Sequence, residues 1–381
     1  MNKQLRVELR KLYGSLQGEL VYRLKRPPRR LYLRVNTLKT ARSQVISLLR
    51  EEGVEVYPDE SVHDAVYIEV KGPYTLECDT TKRIVVDDKT AVSLLMGANL
   101  YRPGILKWSS FREGEKILAI SRNGVPLACI ETVLSYHKAF NIEKGLVGIN
   151  VCSPYRAPSI AETSLYKNGL LYPQSLPSIV TTHVLNPKPG EVVIDMNAAP
   201  GGKTSHIVQL SFGKARVIAF DRSENKVKAI KATLDWLDLN INVIAIPMDS
   251  RYIHVDLRLQ NKADKVLVDP PCSNLGVRPV MKFNRTMKEV IDLSNYQKQF
   301  LKAAYHVLKP GGILVYSTCT ISMLENEENI LYAVNELGYN VVELSENPPY
   351  AEKVSYKGIV GYRYSPLSYD MPGYFIAILS K

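Results

Sequence analysis

From about residue 186 onward the chain alternates between short apolar runs and longer amphipathic segments, and this alternation limits the possible folds more than any other feature. The runs are nearly continuous in valine and isoleucine, and the segments between them have helical periodicity. The apolar runs are EVVID, RVIAF, NVIAI, KVLVD and ILVYS. Such strands are typical of a parallel sheet that helices cover on both faces. We therefore predict a doubly wound α/β domain, in which GYFIAILS returns as an antiparallel strand at the edge.

Two smaller regions precede this domain. Residues 1–78 contain the strand-like segments LYLRVNTLK and AVYIEV, separated by a helical segment that Thr40 or Ser43 would start. Residues 79–153 consist of short β-rich pieces between turn signals, with one helical stretch, KTAVSLLMGAN. We predict three domains: a small α/β unit over 1–78, a mostly β module over 79–153, and the large α/β domain over 154–381. The last begins with a connector rich in proline, tyrosine and serine.

The charge balance points to a polyanionic partner. The chain has 49 lysines and arginines against 38 acidic residues, which gives a net charge of +11. An excess of this kind favours nucleic acid as the partner. No stretch approaches the roughly 18 apolar residues of a membrane helix, so we expect no membrane partner.

The cysteines are five in number, and no two of them form a C-x-x-C pair. This spacing predicts neither a disulfide framework nor a zinc site, and it favours a reducing, cytoplasmic location. We interpret Cys78, Cys129 and Cys152 as small buried apolar residues. Cys272 and Cys319 differ from these three, because each follows an apolar strand.

The segment DMNAAPGGKTSHI follows the first strand of the large domain and has the character of a ligand-binding loop. Its two glycines let backbone N–H groups approach a ligand where the next helix begins. The pattern matches neither the dinucleotide nor the triphosphate fingerprint. Asp195, Asp221 and Asp249 end successive strands, where Asp221 could bind ribose hydroxyls and Asp249 an adenine amino group. This arrangement favours S-adenosylmethionine, whose sulfonium is cationic; the alternative is that these aspartates only cap helices.

The segments VLVDPPCSN and YSTCT place a carboxylate and two thiols at the ends of two strands. In the usual strand order these strands are neighbours, so Asp269, Cys272 and Cys319 would meet at the carboxyl edge of the sheet. Methylation of a pyrimidine at C5 needs such groups. A thiolate attacks C6 to activate C5, an acid holds the ring, and a base later removes the C5 proton so that the thiolate can leave.

Seven segments together resemble the Sun-type (Nop/Sun) RNA cytosine-5 methyltransferases. They are LRVNTLK (33–39), YPQSLPS (172–178), DMNAAPGGKTSHI (195–207), DRSENKVK (221–228), VDPPCSNLG (268–276), LKPGGILVYSTCT (308–320) and ENEENI (325–330). The resemblance implies a Rossmann-like class I methyltransferase domain, an RRM-like N-terminal unit and S-adenosylmethionine as cofactor. It implies that Cys319 is the nucleophile, that Cys272 assists product release, and that Lys203 and Asp269 contact the target cytosine. The cofactor residues that it implies are Asn197, Ala198, Ala199, Pro200, Gly201, Gly202, Lys203, Asp221, Asp249 and Asp269.

Two positions depart from the family pattern. The family commonly has cysteine where Asn197 stands and serine where Thr320 stands. Asn197 is not the nucleophile in any interpretation, so its identity does not affect the proposed chemistry.

The β module has a resemblance of its own. The segment VVDDKTAVSLLMGANLYRPGI (85–105), with KILAIS and CIETV after it, resembles a PUA domain. Within the family, an inserted PUA domain implies methylation of tRNA near the 3′ end of the acceptor stem, at nucleotide 72. The alternative is a generic β-barrel that serves only for packing. The basic residues expected to hold RNA phosphates lie in the 23–34 cluster and in this module, and include Arg26, Arg29, Arg30, Arg102, Lys107 and Arg112.

Other interpretations remain open at the level of sequence. An rRNA cytosine-5 methyltransferase would have the same catalytic motifs. An amino-group methyltransferase would have an aromatic residue after the two prolines, where this chain has Cys272. A non-catalytic RNA-binding or assembly protein would not need both thiols and Asp269. We further expect a monomer that binds tRNA and no metal.

Overall fold

The computed structural model describes residues 3–381, which form three β-sheets surrounded by helices. The N-terminal segment contains α1 (Lys3–Tyr13), α2 (Gln17–Leu24), β1 (Arg30–Val35), α3 (Arg42–Glu51), β2 (Tyr57–Pro58) and β3 (Ala65–Glu69). The middle segment contains β4 (Arg83–Val86), α4 (Asp88–Leu95), β5 (Leu100–Tyr101), β6 (Ile105–Lys107), β7 (Lys116–Ser121), β8 (Pro126–Thr132), α5 (Tyr136–Asn141) and β9 (Leu146–Cys152). Short 3₁₀ helices span Gly14–Leu16, Arg102–Gly104 and Ile160–Glu162.

The C-terminal part of the chain alternates strands and helices. It contains α6 (Ser164–Lys167), β10 (Leu171–Pro173), α7 (Leu176–Leu185), β11 (Val192–Asp195), α8 (Gly202–Leu210), β12 (Arg216–Asp221), α9 (Glu224–Leu237), β13 (Val243–Pro247), α10 (Ile253–Asp256), β14 (Ala263–Val268), α11 (Met287–Val307), β15 (Leu308–Thr318), α12 (Glu327–Leu337), β16 (Asn340–Val341), β17 (Glu352–Tyr356), β18 (Ile359–Tyr364) and β19 (Tyr374–Ser380).

The predicted doubly wound α/β domain is confirmed. Its sheet runs β13-β12-β11-β14-β15-β19-β18-β17, and the first five of these strands are parallel. Apolar residues of α7, α8 and α9 pack on one face, and those of α11 and α12 pack on the other. The carboxyl ends of the five parallel strands therefore meet at one edge, where ligands bind in sheets of this kind.

The last strand departs from the prediction. β19 is antiparallel to β15, as expected, but it does not lie at the sheet edge. A hairpin of β17 and β18, joined by Lys357 and Gly358, pairs beyond it and covers its outer side. The residues of β19 suit this interior position. Tyr374 to Leu379 form a continuous apolar run, and all of them are buried.

The N-terminal sheet is completed by the connector. Its order is β10-β1-β3-β2, and β10 comes from the proline-rich connector with which the predicted large domain begins. The two regions are also joined through Asp64, whose buried carboxylate accepts hydrogen bonds from His183 Nε2 at 2.8 Å and His206 Nε2 at 2.7 Å. Helices α1 and α2 pack Leu5, Leu9, Leu20 and Leu24 against the large domain, in a cluster with Leu275, Phe283, Val290 and Ile321.

The middle segment forms a six-stranded sheet of order β5-β9-β8-β7-β4-β6, with α4 packed against it. The cysteine interpretations are wrong here. No disulfide was predicted, but Cys78 and Cys129 form one with a Cα–Cα distance of 5.3 Å, and Cys152 is partly exposed instead of buried. Cys78 and Cys129 are 51 positions apart in the chain, so only the fold brings the extended segment around Cys78 next to β8. Within residues 3–381, no helix combines the length and the apolar character that crossing a membrane requires.

Candidate active site

Cys272 and Cys319 lie side by side at the carboxyl edge of the sheet. β14 and β15 are parallel neighbours, as predicted, with Val268 opposite Tyr316. Cys272 follows β14 after two prolines, and Cys319 follows β15 directly. Their sulfur atoms are 3.4 Å apart, a distance at which one thiol can donate a hydrogen bond to the other. Cys272 is buried and Cys319 is partly exposed.

The pair is held in place by a buried carboxylate that was not predicted as a site residue. Glu325 accepts a hydrogen bond from the backbone N–H of Ser273 at 2.9 Å and another from Thr320 Oγ1 at 3.3 Å. Ser273 and Thr320, the residues that follow the two cysteines, are therefore hydrogen-bonded to the same carboxylate. Burial raises the pKa of Glu325, an effect that its hydrogen-bond donors oppose.

Asp269 forms an ion pair beside the thiols. Lys203 Nζ lies 2.5 Å from Asp269 Oδ2, and Ser317 Oγ donates to Asp269 Oδ1 at 3.1 Å. Burial alone would lower the pKa of Lys203, but the charge of Asp269 and the hydroxyl of Tyr374 more than offset it. The pKa of Lys203 therefore lies above its usual range. Burial also raises the pKa of Tyr374 to about 12.

A cavity of about 730 Å³ opens next to this group. Its lining includes Asn197, Ala199, Asp221, Asp249, Asp269 and both thiols. Asp221 accepts a hydrogen bond from the backbone N–H of Ala199 at 3.3 Å, so β12 and the loop after β11 converge there. Hydrogen bonds from the Arg251 side chain lower the pKa of Asp249, which keeps that carboxylate ionised. Carboxylates at the ends of successive strands can accept hydrogen bonds from the ribose hydroxyls and the adenine amino group of an adenosyl ligand.

The other loop residues lie around a smaller adjoining cavity of about 170 Å³. Ala198, Pro200, Gly202 and Lys203 line it together with Asp269. Gly201 lines neither cavity. It has a φ of 108°, and a Cβ atom there would lie 3.1 Å from Thr233 Cβ, so glycine is required for packing at this position.

Asp195 does not line the large cavity, although we expected it to share the acidic site. Its side chain is buried and accepts a hydrogen bond from Thr204 Oγ1 at 2.7 Å. Burial raises the pKa of Asp195 to about 6. Asp195 lies instead beside the smaller cavity, where its hydrogen bond with Thr204 joins the end of β11 to α8.

Comparison with known proteins places this geometry in a family. A family model described as 16S rRNA methyltransferase RsmB/F matches residues 182–380, and one described as the RsmF/B-like ferredoxin-like domain matches residues 5–75. The tRNA (cytosine(72)-C(5))-methyltransferase of Pyrococcus horikoshii is 34% identical over 100% of this chain and 96% of its own length. The protein named tRNA (cytosine(72)-C(5))-methyltransferase NSUN6 from Homo sapiens is 32% identical over 88% of this chain and 79% of its own. The crystal structure of NSun6 from Pyrococcus horikoshii with SFG has a TM-score of 0.92 and 34% identity, over 100% of this chain and 98% of that chain.

The chain belongs to the RsmB/F-type cytosine-5 RNA methyltransferases. Membership confirms the predicted resemblance to Sun-type enzymes, and this family depends on S-adenosylmethionine. The fold and the class of enzyme were therefore predicted correctly from the sequence.

A second cavity of this methyltransferase, of about 930 Å³, lies on the other side of Cys319. It is lined by parts of all three regions: Arg29 and Arg30, Ser93 and Met96, Gln174 and Leu176, Arg278, and the tyrosines Tyr32, Tyr350, Tyr369 and Tyr374. Cys319 is the only one of the two thiols that borders both cavities. The tyrosines and Arg278 were not predicted from the sequence, because no local pattern distinguishes them from packing residues.

The predicted RNA-binding residues are spread over two regions. Arg29 and Arg30 are exposed beside the second cavity. The guanidinium of Arg26 lies 3.9 Å from the centre of the Tyr22 ring, and that of Arg102 lies 5.1 Å from the Trp108 ring centre. Lys107 is exposed on β6.

One member of the basic cluster 23–34 is not on the surface at all. Arg34 is 1% exposed and donates hydrogen bonds to the carbonyl oxygen of Gly202 at 2.6 Å and to Ser205 Oγ at 2.7 Å. Its side chain joins the N-terminal sheet to the start of α8. Burial lowers the pKa of Arg34 to about 10.

Proposed function

We propose that this protein transfers a methyl group from S-adenosylmethionine to C5 of a cytosine in tRNA, near the 3′ end of the acceptor stem at nucleotide 72. The observation that carries the proposal is the thiol pair, 3.4 Å apart, whose Cys319 borders two cavities. The choice of tRNA is supported by the Pyrococcus horikoshii and Homo sapiens relatives, whose names specify cytosine 72 of tRNA and whose similarity extends over most of the chain.

Asp221 and Asp249 would hold the cofactor in the cavity that they line, and the second cavity would receive the target base. When bound, S-adenosylmethionine supplies an electrophilic methyl group. Asn197, Ala199 and the smaller cavity beside Lys203 complete its binding site. Cys319 borders both cavities and would therefore reach a base in the second one.

Cys319 attacks C6 of the cytosine, and the electron pair of the C5–C6 double bond becomes available at C5. Asp269, held by Lys203, contacts the N3 and 4-amino edge of the ring and favours this adduct. C5 would then take the methyl group, while the bond between that methyl and the sulfonium breaks and its electron pair stays on the sulfur. Loss of the C5 proton to a base restores the double bond and breaks the bond between C6 and sulfur.

Cys272 serves the release step. The hydrogen bond with Cys319, together with burial, raises the pKa of Cys272. The raised pKa favours the neutral form of Cys272. Cys319 is the more exposed thiol and borders both cavities, which supports Cys319 as the attacking group and Cys272 as its partner during release.

RNA is held by the N-terminal unit (1–78) and by the module over 79–153, which we assign as a PUA domain, next to the catalytic domain (154–381). Arg26, Arg29, Arg30, Arg102 and Lys107 contact phosphates. We further propose that the enzyme is a monomer, and tRNA as substrate supports a cytoplasmic location. The mechanism uses no metal.

The test is mass spectrometry of tRNA after incubation with the enzyme and isotopically labelled cofactor, mapped to the nucleotide. We expect labelled 5-methylcytidine at position 72. A product methylated on an amino group, or no product, would refute the proposal. The family model is named for 16S rRNA, so a parallel incubation with that RNA tests the second candidate, an rRNA methyltransferase. Methylation of rRNA alone would favour it.

A further inference from the structure

The loop after Cys272 carries a polar side chain that the proposed reaction does not use. Asn274 Oδ1 lies 3.0 Å from the sulfur of Cys319 and 3.3 Å from the sulfur of Cys272. Since the two sulfurs are 3.4 Å apart, the three atoms form a nearly equilateral triangle. Both thiols can donate to the one oxygen, because an amide oxygen has two lone pairs.

The backbone fixes the position of this amide. Asn274 has a φ of 58°, a left-handed conformation that asparagine tolerates better than most residues. The backbone N–H of Gly276 donates to the carbonyl oxygen of Cys319 at 3.0 Å, and Ser273 is bound to Glu325. The loop is thus attached to the strand end that carries Cys319, and the amide faces the sulfur pair.

An amide oxygen carries partial negative charge. As the acceptor of an S–H donor it stabilises the neutral thiol, and it opposes the thiolate, which is the attacking form. We propose that Asn274 is a positioning residue that holds the two thiols together in their protonated forms while no RNA is bound. This inference rests on the proposed function, in which Cys319 is the nucleophile. Asn274, which takes no part in the reaction itself, keeps the Cys319 thiol protonated before RNA binds.

Two substitutions test the proposal in opposite directions. Asn274→Gly removes the amide and keeps the left-handed backbone, and Asn274→Asp replaces the amide by a charged acceptor of the same shape. The measurement is the rate of iodoacetamide alkylation at Cys319, followed by peptide mass spectrometry from neutral to alkaline pH, without RNA or cofactor. Loss of one neutral hydrogen bond should raise the rate about fivefold at neutral pH in Asn274→Gly. The midpoint of its pH dependence should move to lower pH, and Asn274→Asp should react more slowly than the native protein.

Asn186→Gly is the matched control, because Asn186 is also left-handed, with a φ of 51°, but is exposed at the end of α7. Its alkylation rate should equal that of the native protein. An unchanged rate in Asn274→Gly, or a slower one, would overturn the inference. Alkylation needs neither RNA nor methyl donor, so this result is independent of the proposed function. If the native protein methylates tRNA, the acid limb of its pH profile should shift to lower pH in Asn274→Gly. Absence of methylation by the native protein would count against the proposed function and not against this inference.

Discussion

Replacing Cys272 by alanine should convert the enzyme into one that traps its RNA. Attack on C6 uses Cys319, which keeps its place after β15 in this variant. The atom that is lost is the sulfur 3.4 Å from Cys319 Sγ, which we assign to release. Removing a positioned acid–base group slows its step by about 10²- to 10⁴-fold. If adduct formation and release are comparable in the native enzyme, even the lower figure leaves about 99% of the engaged enzyme as adduct.

The assay is a denaturing gel after incubation of tRNA and cofactor with each variant. Cys272→Ala should give a protein–RNA band that survives denaturation. Cys319→Ala and the double variant should give no band and no methyl transfer. Cys152→Ala is the control, because it removes a partly exposed thiol in β9 that lies outside the site. Trapping by Cys319→Ala, or normal turnover by Cys272→Ala, would show that the two roles are assigned wrongly.

Three further predictions concern stability and binding. Asp195 has a pKa of about 6 in the fold, and the difference from its ordinary pKa of 3.8 corresponds to roughly 3 kcal/mol, so its ionisation destabilises the fold as pH rises from about 4 to about 6. Asp195→Asn should therefore unfold at a higher temperature than the native protein near pH 7, and this difference should disappear near pH 4. A difference in unfolding temperature that does not vary with pH would show that ionisation of the buried carboxyl is not its cause. Gly201→Ala should cost about 1–2 kcal/mol in stability, because Gly201 has a φ of 108° and Thr233 lies close to it. It should also weaken cofactor binding, measured by calorimetry. Gly190→Ala is the control, because Gly190 has open space around it and cofactor binding should not change. Arg30→Ala should weaken tRNA binding and reduce the slope of log affinity against log salt by about 1, without changing cofactor affinity; an unchanged slope would mean that Arg30 contacts no phosphate.

Local pattern was sufficient to predict the catalytic sheet. The valine- and isoleucine-rich runs became β11 to β15, and the neighbouring positions of Cys272 and Cys319 followed from the usual strand order. The hairpin of β17 and β18 was missed because its turn, Lys357 and Gly358, lies in a tyrosine-rich stretch without strong alternation. Helix α7 was not predicted because half of its residues are β-branched and a proline lies at its start.

Contacts between distant segments could not be predicted in this way. Arg34 stands in a run of basic residues, and only the pairing of β1 with β10 shows that its side chain points inward to the Gly202 carbonyl. The disulfide between Cys78 and Cys129 likewise depends on where the segment before β4 folds. Each of these residues has an ordinary local context, and the energetic reason for its position is supplied by a partner far along the chain.

The position of Cys319 between two cavities links RNA selection to catalysis in the proposed reaction. Since the proposed reaction assigns the first cavity to the cofactor, the base would reach the thiol through the second. The lining of the second cavity includes Arg30 from the N-terminal sheet, Met96 from the β module and Tyr350 from the catalytic domain. A base held by three regions is positioned for attack only when all three engage the RNA together. Binding energy from the stem is thereby used to orient the target carbon, so loss of a remote RNA contact should lower kcat as well as raise the Kd for tRNA.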